Sequence, residues 1–233
     1  MAEQTPEFSV SSYLFPHINR EGLKFGGIAL LAAVAVTLIA SHVWWLWWLV
    51  LPLFALAYGV FLFFRDPERY PPENEKAILS PADGRVCLVQ ECELPDGLGE
   101  DEAYKGRRFW RVSVFNVHVN RMPTAGEVLK KEYVAAGKFF NASLDKASKE
   151  NERCNYLVRA ANGQVYGVTQ IAGLVARRIV PLVGEGQSLA RAERFGLIRF
   201  GSRLDVYLPE GVKPEVRVGQ TMVAGETVLG HLS

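Results

Sequence analysis

Hydrophobic and polar residues alternate along this chain in two different regimes. From Phe25 to Phe64 the sequence runs FGGIALLAAVAVTLIASHVWWLWWLVLPLFALAYGVFLFF, forty residues without Asp, Glu, Lys or Arg. One membrane-spanning helix needs roughly 20 apolar residues, so the run is long enough for two. Ser41-His42 near its midpoint is the natural turn, which predicts a helical hairpin over about Lys24–Ala40 and Val43–Phe63. After RDPERYPPENEKA the period shortens. Segments such as ILSPADGRVCLVQEC, RRFWRVSVFNVHVNRMP, NYLVRAANGQVYGVTQIAG and FGLIRFGSRLDVYLP carry Val/Ile/Phe/Tyr runs bounded by Gly, Pro or Asn-Gly. Asn162-Gly163 is a strong hairpin turn signal. Only Asp145–Arg153 and Ala172–Arg178 look helical in this half, and both are short. The fold expected is mainly β, sandwich- or barrel-like, of α+β type with few short helices, behind an N-terminal membrane-associated hairpin. The division expected is residues 1–65 for the hairpin and 66–233 for a β-rich domain.

Trp44, Trp45, Trp47 and Trp48 cluster toward one end of the second helix, where indoles favour a membrane interface. A signal peptide fits poorly, because the apolar run is too long and no small-residue cleavage site follows it. A buried helical pair in a soluble protein is the bland alternative. Arg20 and Lys24 flank one side of the run, Arg65 and Arg69 the other. By the positive-inside rule both ends, and everything after Arg65, lie on the cytoplasmic side of the cell membrane.

Charge adds an exclusion. The formal net charge is +1, which gives no bulk electrostatic case for nucleic acid. The three cysteines, Cys87, Cys92 and Cys154, fit neither a disulfide framework nor a four-ligand zinc site. They read as buried or half-buried thiols in a reducing compartment.

The stretch LIRFGSRLDVYLP, Leu197–Pro209, has the period-2 alternation of a half-buried strand, yet Gly201-Ser202 interrupts it. Two other polar residues sit where apolar β segments break. Asp83 lies in the SPADG turn, where an ordinary turn Asp would suffice. His118 lies among valines in VSVFNVHVNRMP, where a satisfied half-buried histidine would suffice; for Ser202 the plain alternative is a β-bulge. Standard nucleophile and metal signatures are missing: there is no G-x-S-x-G, no G-x-x-x-x-G-K-[ST] and no H-E-x-x-H. The other histidines, His17, His42 and His231, lie far off in sequence, so no metal centre is expected.

Taken together, the three residues suggest an activated hydroxyl. A serine needs a base within hydrogen-bond reach, and a histidine oriented by a carboxylate is the usual supplier. A glycine just before the serine permits a strained backbone with an exposed carbonyl. That arrangement suits attack of Ser202 Oγ on the carbonyl of Gly201, giving an ester in place of the amide. A fainter signal is an internal echo: SPADGRVCLV and VRVGQTMVAGETVLGHL both resemble the turns of lipoyl- and biotinyl-type carrier domains. No Lys lies between Val218 and Gly230 to carry such a cofactor.

The ordered set FFRDPER, SPADGRV, FNVHVNRMPTAGEV, GEGQSLARAERFGLIRFGSRLDVYLP and VGQTMVAGETVLG resembles the phosphatidylserine decarboxylase family, in its short proenzyme form, over nearly the whole chain. The resemblance implies a pyruvoyl group made from the chain itself, with no PLP and no metal. Ser202 would attack Gly201, β-elimination and hydrolysis would release ammonia, and the chain would part into 1–201 and a pyruvoyl-capped 202–233. The ketone would condense with the amine of phosphatidylserine and draw off electrons as CO2 leaves, giving phosphatidylethanolamine. The partners implied are phosphatidylserine in the membrane and the two cleaved chains as a heterodimer, with room for a homo-oligomer and none for nucleic acid.

The resemblance assigns acid/base work to His118, with Asp83 as its partner or as a cleavage base. Arg177, Arg178, Arg191 and Arg194 are candidates for the lipid phosphate. Longer bacterial relatives read H-x-x-H-M-P where this chain has His118-Val-Asn-Arg-Met-Pro, so Arg121 takes the place of a second histidine. They also read Leu-Gly-Ser-Thr where this chain has Phe-Gly-Ser-Arg. Two rival readings are a pyruvoyl decarboxylase acting on another phospholipid or amino acid, and a non-enzymatic membrane-anchored carrier-like β module. A membrane-anchored peptidase fits less well, since the serine sits on an apparent strand with no oxyanion-hole signature.

Overall fold

The computed structural model describes residues 17–99, 102–115, 118–135, 150–173, 178–199 and 202–233. The chain divides into two compact units, Met1–Glu68 and Arg69–Ser233.

The first unit is the expected hairpin. Helix α1 spans Arg20–Ala40, a 3-10 turn covers Trp44–Leu46, and helix α2 spans Trp47–Phe63. Helix α1 starts four residues before Lys24 because Asn19 caps it, its side chain accepting the amide hydrogen of Glu21 at 3.1 Å. The helices approach closely because small residues face the contact. A Cβ on Gly26 would stand 2.5 Å from the ring of Phe61, and Ala33, Ala40 and Ala57 are buried. Elsewhere the surface is apolar: Trp44 is 78% and Trp48 80% exposed. Both helices are long and apolar enough to cross a membrane.

The second unit is antiparallel β structure. Its strands are β1 (Ala77–Leu79), β2 (Gly84–Cys92), β3 (Phe109–Phe115), β4 (Val119–Arg121), β5 (Gly126–Val134), β6 (Arg153–Ala160) and β7 (Val165–Ile171). There follow β8 (Ile179–Pro181), β9 (Ser188–Leu189), β10 (Arg194–Ile198), β11 (Arg203–Leu208), β12 (Thr221–Met222) and β13 (Val228–His231). Eight form one sheet in the order β12-β2-β3-β11-β7-β6-β5-β9; β4-β10-β8 and β1-β13 form two smaller ones. The β6–β7 hairpin turns at Asn162-Gly163, with Gly163 at φ 86° and the Asn162 side chain accepting from the Gln164 amide.

Two short helices expected from the sequence fall mostly on residues outside the described ones. In Asp145–Arg153 the first described residue, Glu150, is helical and the chain has left the helix by Arg153, which opens β6; residues 145–149 lie outside the described residues. In Ala172–Arg178 the described residues Ala172, Gly173 and Arg178 carry no helix, and 174–177 lie outside them. Arg153, the last residue of the first stretch, already belongs to the ladder, where it pairs with Ile171 on β7.

The interrupted strand is the more informative difference. Leu197–Pro209 is two strands in two sheets. Strand β10 ends at Ile198 in the three-stranded sheet, and β11 begins at Arg203 in the middle of the eight-stranded one. Nor is β11 half-buried, since all six of its residues are buried. Leu204, Val206 and Leu208 enter the main core with Val112, Val114, Val168 and Tyr156. Tyr207 packs on the opposite face with Leu94, Leu98, Phe109 and Leu157. Arg203 and Asp205 share that face and neutralise each other: Nη2 donates to Oδ2 at 3.0 Å and Nε lies 2.9 Å from Oδ1.

A buried ion pair that loses one partner leaves an uncompensated charge, at a cost of about 3–5 kcal/mol. Asp205→Ala is therefore expected to lower unfolding stability by that order, measured by urea titration in a Ser202→Ala background. Leu204→Val on the opposite face should cost no more than about 1.5 kcal/mol.

Candidate active site

One end of the large sheet collects the residues singled out from the sequence. The ladder fixes a row across it: Arg85 of β2 pairs with Phe115 of β3, Phe115 with Arg203 of β11, Arg203 with Ile171 of β7, and Ile171 with Arg153 of β6. Asp83 lies two residues before Arg85, His118 three after Phe115, and Ser202 one before Arg203. All three leave the sheet at the same end, on three adjacent strands. Strand spacing of about 4.8 Å puts the β2 and β11 ends roughly 10 Å apart, with the β3 end between them.

Ser202 is fully buried. The alternation that sends Leu204 and Val206 into the core carries residue 202 to the same side. Gly201, its expected reaction partner, lies outside the described residues. His118 is half-buried with its Nδ1 inside the protein, and its carbonyl accepts the amide hydrogen of Ile198 at 2.8 Å. That bond continues the β4–β10 ladder, in which Leu197 pairs with Val119. The backbone of His118 is thus tied to the strand that leads into residues 199–202.

Asp83 is held firmly, though by groups the sequence did not suggest. Its Oδ2 pairs with Arg69 Nη2 at 2.6 Å, and its Oδ1 accepts the amide hydrogen of Ala224 at 2.9 Å. Around it the SPADG turn is locked to the VAGET turn, with Ser80 donating its amide hydrogen to Thr227 O and Gly225 donating to Ser80 O. The two carrier-like segments are therefore pairing partners: β12 lies on β2, and β13 on β1. Gly84 permits the close approach. A Cβ there would collide with the carbonyl oxygen of Phe115, and its φ of 153° is one side chains rarely adopt.

Arg121 cannot act as a proton acceptor, because a guanidinium stays charged throughout the accessible pH range. It is buried, and its Nη1 donates to Ala192 O at 3.1 Å while its amide donates to Pro81 O at 2.8 Å. The residue in the second-histidine position therefore holds the SPADG turn beside β4. Of the arginines considered for a phosphate, Arg191 is committed to the carbonyls of Pro72 and Asn74. Arg177 lies outside the described residues. Cys87 and Cys154 have thiols pushed up by burial, so neither is a thiolate nucleophile near neutral pH.

Sequence reasoning missed Arg69, Asn120 and Gln170. Gln170 carried a signal, a polar residue in the largely apolar strand VYGVTQI, whereas Asn120 in the short VNR strand carried little; both are fully buried. On the other flank, Asn151 and Glu152 grip residue 172: Asn151 Nδ2 donates to Ala172 O at 2.8 Å and Ala172 donates its amide to Glu152 O at 2.9 Å.

A family model described as phosphatidylserine decarboxylase matches residues 58–230. A phosphatidylserine decarboxylase proenzyme of Erythrobacter litoralis is 49% identical over 95% of this chain and 90% of its own. Proenzymes of the same name from Zymomonas mobilis and Ruegeria pomeroyi are 47% and 51% identical. The first covers 94% of this chain and 88% of its own, the second 92% and 95%.

Gly84→Ala tests how tightly the Asp83 turn must sit against β3. It should cost about 1–3 kcal/mol through backbone strain and overpacking, read as a lowered unfolding midpoint, while Gly163→Ala in the open hairpin turn is expected to cost less.

Proposed function

The chain belongs to the phosphatidylserine decarboxylase family, and on that premise we propose that it cuts itself between Gly201 and Ser202 and decarboxylates phosphatidylserine at the new end. The observation that carries this reading is the shared sheet end, where Asp83, His118 and Ser202 arrive on adjacent strands. Ser202 also stands between strands of two different sheets, β10 ending at Ile198 and β11 beginning at Arg203.

The self-cleavage balances as an intramolecular reaction plus one water. Ser202 Oγ attacks the Gly201 carbonyl and its proton passes to His118. The amide becomes an ester with the Ser202 nitrogen free. Loss of the Ser202 α-proton then expels the Gly201 carboxylate, and water replaces the nitrogen, which leaves as ammonia. Asp83, held by Arg69 and Ala224 on the neighbouring strand end, is the carboxylate we assign as partner of His118 or as cleavage base. Ser202 fits the role of pyruvoyl precursor: its side is dry, and an ordinary cut would strand an ammonium there. Removing the nitrogen leaves an uncharged end that tolerates burial.

Once formed, the pyruvoyl group supplies the electron sink for loss of CO2 from an amino-acid head group. The chain's own residues do the rest. His118 holds and returns the proton that replaces the carboxyl group, and the surrounding apolar strands exclude water. The hairpin brings the catalytic unit to a substrate that lives in a bilayer, and the basic residues flanking the apolar run, Arg20, Lys24, Arg65 and Arg69, support a cytoplasmic side for that unit by the positive-inside rule.

Intact mass spectrometry of the purified protein should give two pieces, the smaller roughly 3–4 kDa by residue count and lighter by one ammonia than simple hydrolysis would leave. Ser202→Ala should remain a single chain that releases no CO2 from phosphatidylserine vesicles, and His118→Ala should lose at least about 100-fold in rate. A fully active, uncut wild-type chain would sink the reading. Membranes washed with alkaline carbonate should retain the protein, and deletion of residues 20–63 should release it.

A further inference from the structure

The eight-stranded sheet carries Ser202, while the three-stranded sheet carries the strand that follows His118. Chemistry between the two requires the sheets to be registered on each other closely. A misplacement of about 1 Å costs roughly 100-fold in rate. The backbone supplies part of that registration through the bond from Ile198 to the His118 carbonyl. A buried side-chain relay supplies a second tie. Tyr156 on β6 donates its hydroxyl hydrogen to Gln170 Oε1 at 3.1 Å, and Gln170 Nε2 on β7 donates to Asn120 Oδ1 on β4 at 2.6 Å. All three residues are at most 1% exposed.

Its position connects the relay to the site. Gln170 pairs with Leu204, so it is the diagonal neighbour of residue 202 on the core side of the sheet. Asn120 is two residues beyond His118, and Asn120 pairs with Gly196 on β10. The relay thus runs from beside Ser202 to beside His118, crossing over Gly196. A Cβ on Gly196 would stand 2.6 Å from Gln170 Nε2, so a glycine is needed there for the amide to reach across. Phe195, the preceding residue, packs its ring edge-on against Tyr156 at 5.2 Å. Three features converge on one contact: two fully buried polar side chains, and a glycine whose added Cβ would meet the Gln170 amide first, at 2.6 Å, and the Val180 carbonyl next, at 3.2 Å.

We propose that Gln170 and Asn120 are positioning residues that set His118 against Ser202, with Gly196 clearing the space between them. The inference rests on His118 being the acid/base group proposed above. Its content is that the relay acts through the imidazole, beyond any share it has in stability.

The test uses the full-length chain in membranes or detergent, following chain scission by gel and mass and CO2 release from phosphatidylserine vesicles. Gln170→Leu keeps the volume and removes both hydrogen bonds. It should slow scission about 10- to 100-fold while the thermal midpoint of the matching Ser202→Ala protein moves little. Gly196→Ala should reproduce the defect by pushing the amide aside. Asn120→Asp keeps an acceptor for Gln170 and should stay within a few-fold of wild type, whereas Asn120→Leu should not. In a His118→Ala background Gln170→Leu should add nothing. A folded Gln170→Leu protein that cuts itself at the wild-type rate overturns the inference. So does a defect that persists undiminished without His118, because the relay would then serve the fold alone. If His118→Ala itself cuts and decarboxylates normally, it is the acid/base reading that fails.

Discussion

Strand β11 is hydrogen-bonded on both sides along its length, to β3 from Arg203 to Leu208 and to β7 from Arg203 to Tyr207. With apolar clusters on both faces as well, its backbone has nowhere to move. That rigidity begins abruptly at Arg203, one residue after Ser202. On the other side, β10 is held just as definitely by β4 and β8 up to Ile198. The residues between are forced to carry the chain from one sheet to another. Two rigid ladders thus end within a few residues of each other in sequence, one at Ile198 and one at Arg203. The site is built around this transition, with the SPADG turn and β4 tied to it through Arg121 and His118.

Much of this was legible in the sequence. Forty residues without a formal charge gave the hairpin, and the turn at Ser41-His42 appeared where the apolar run divides. Val/Ile/Phe/Tyr runs gave the β class, and Asn162-Gly163 gave a real hairpin. The interruption at Gly201-Ser202 was also visible and was read as chemistry, but the change of sheet behind it was not. A change of sheet leaves the same mark in a one-dimensional pattern as a bulge, since both insert small residues into an alternation. Likewise Arg203 and Asp205 alternate like solvent-facing residues. Only the layer carrying Leu94 and Leu98 explains why they are buried and must neutralise each other.

The partners of the site residues were the least readable part. Asp83 is bound by Arg69, fourteen residues earlier, and by the amide of Ala224, more than a hundred later. Pairings of that range depend on topology, which local periodicity does not encode. Gln170 was identifiable only as an oddity, a polar residue in a largely apolar strand, and Asn120 hardly at all. Their contact becomes apparent once β7 and β4 are placed on either side of Gly196. Short turn motifs were better guides than charges: SPADGRVCLV and VRVGQTMVAGETVLGHL both resembled carrier-domain turns in sequence, and their turns interlock.

Every strand after residue 202 is paired with a strand that precedes it: β11 with β3 and β7, β12 with β2, and β13 with β1. Uncut, the molecule unfolds and refolds as a single chain whose equilibrium ignores protein concentration. Severed before residue 202, the same sheet becomes a complex of two molecules, and losing its central strand is a dissociation. Dilution then works against recovery, and a heated sample has to find its small partner again before it can rebuild the sheet. Maturation in this fold would exchange a reversible unimolecular equilibrium for persistence set by the rate at which β11 escapes.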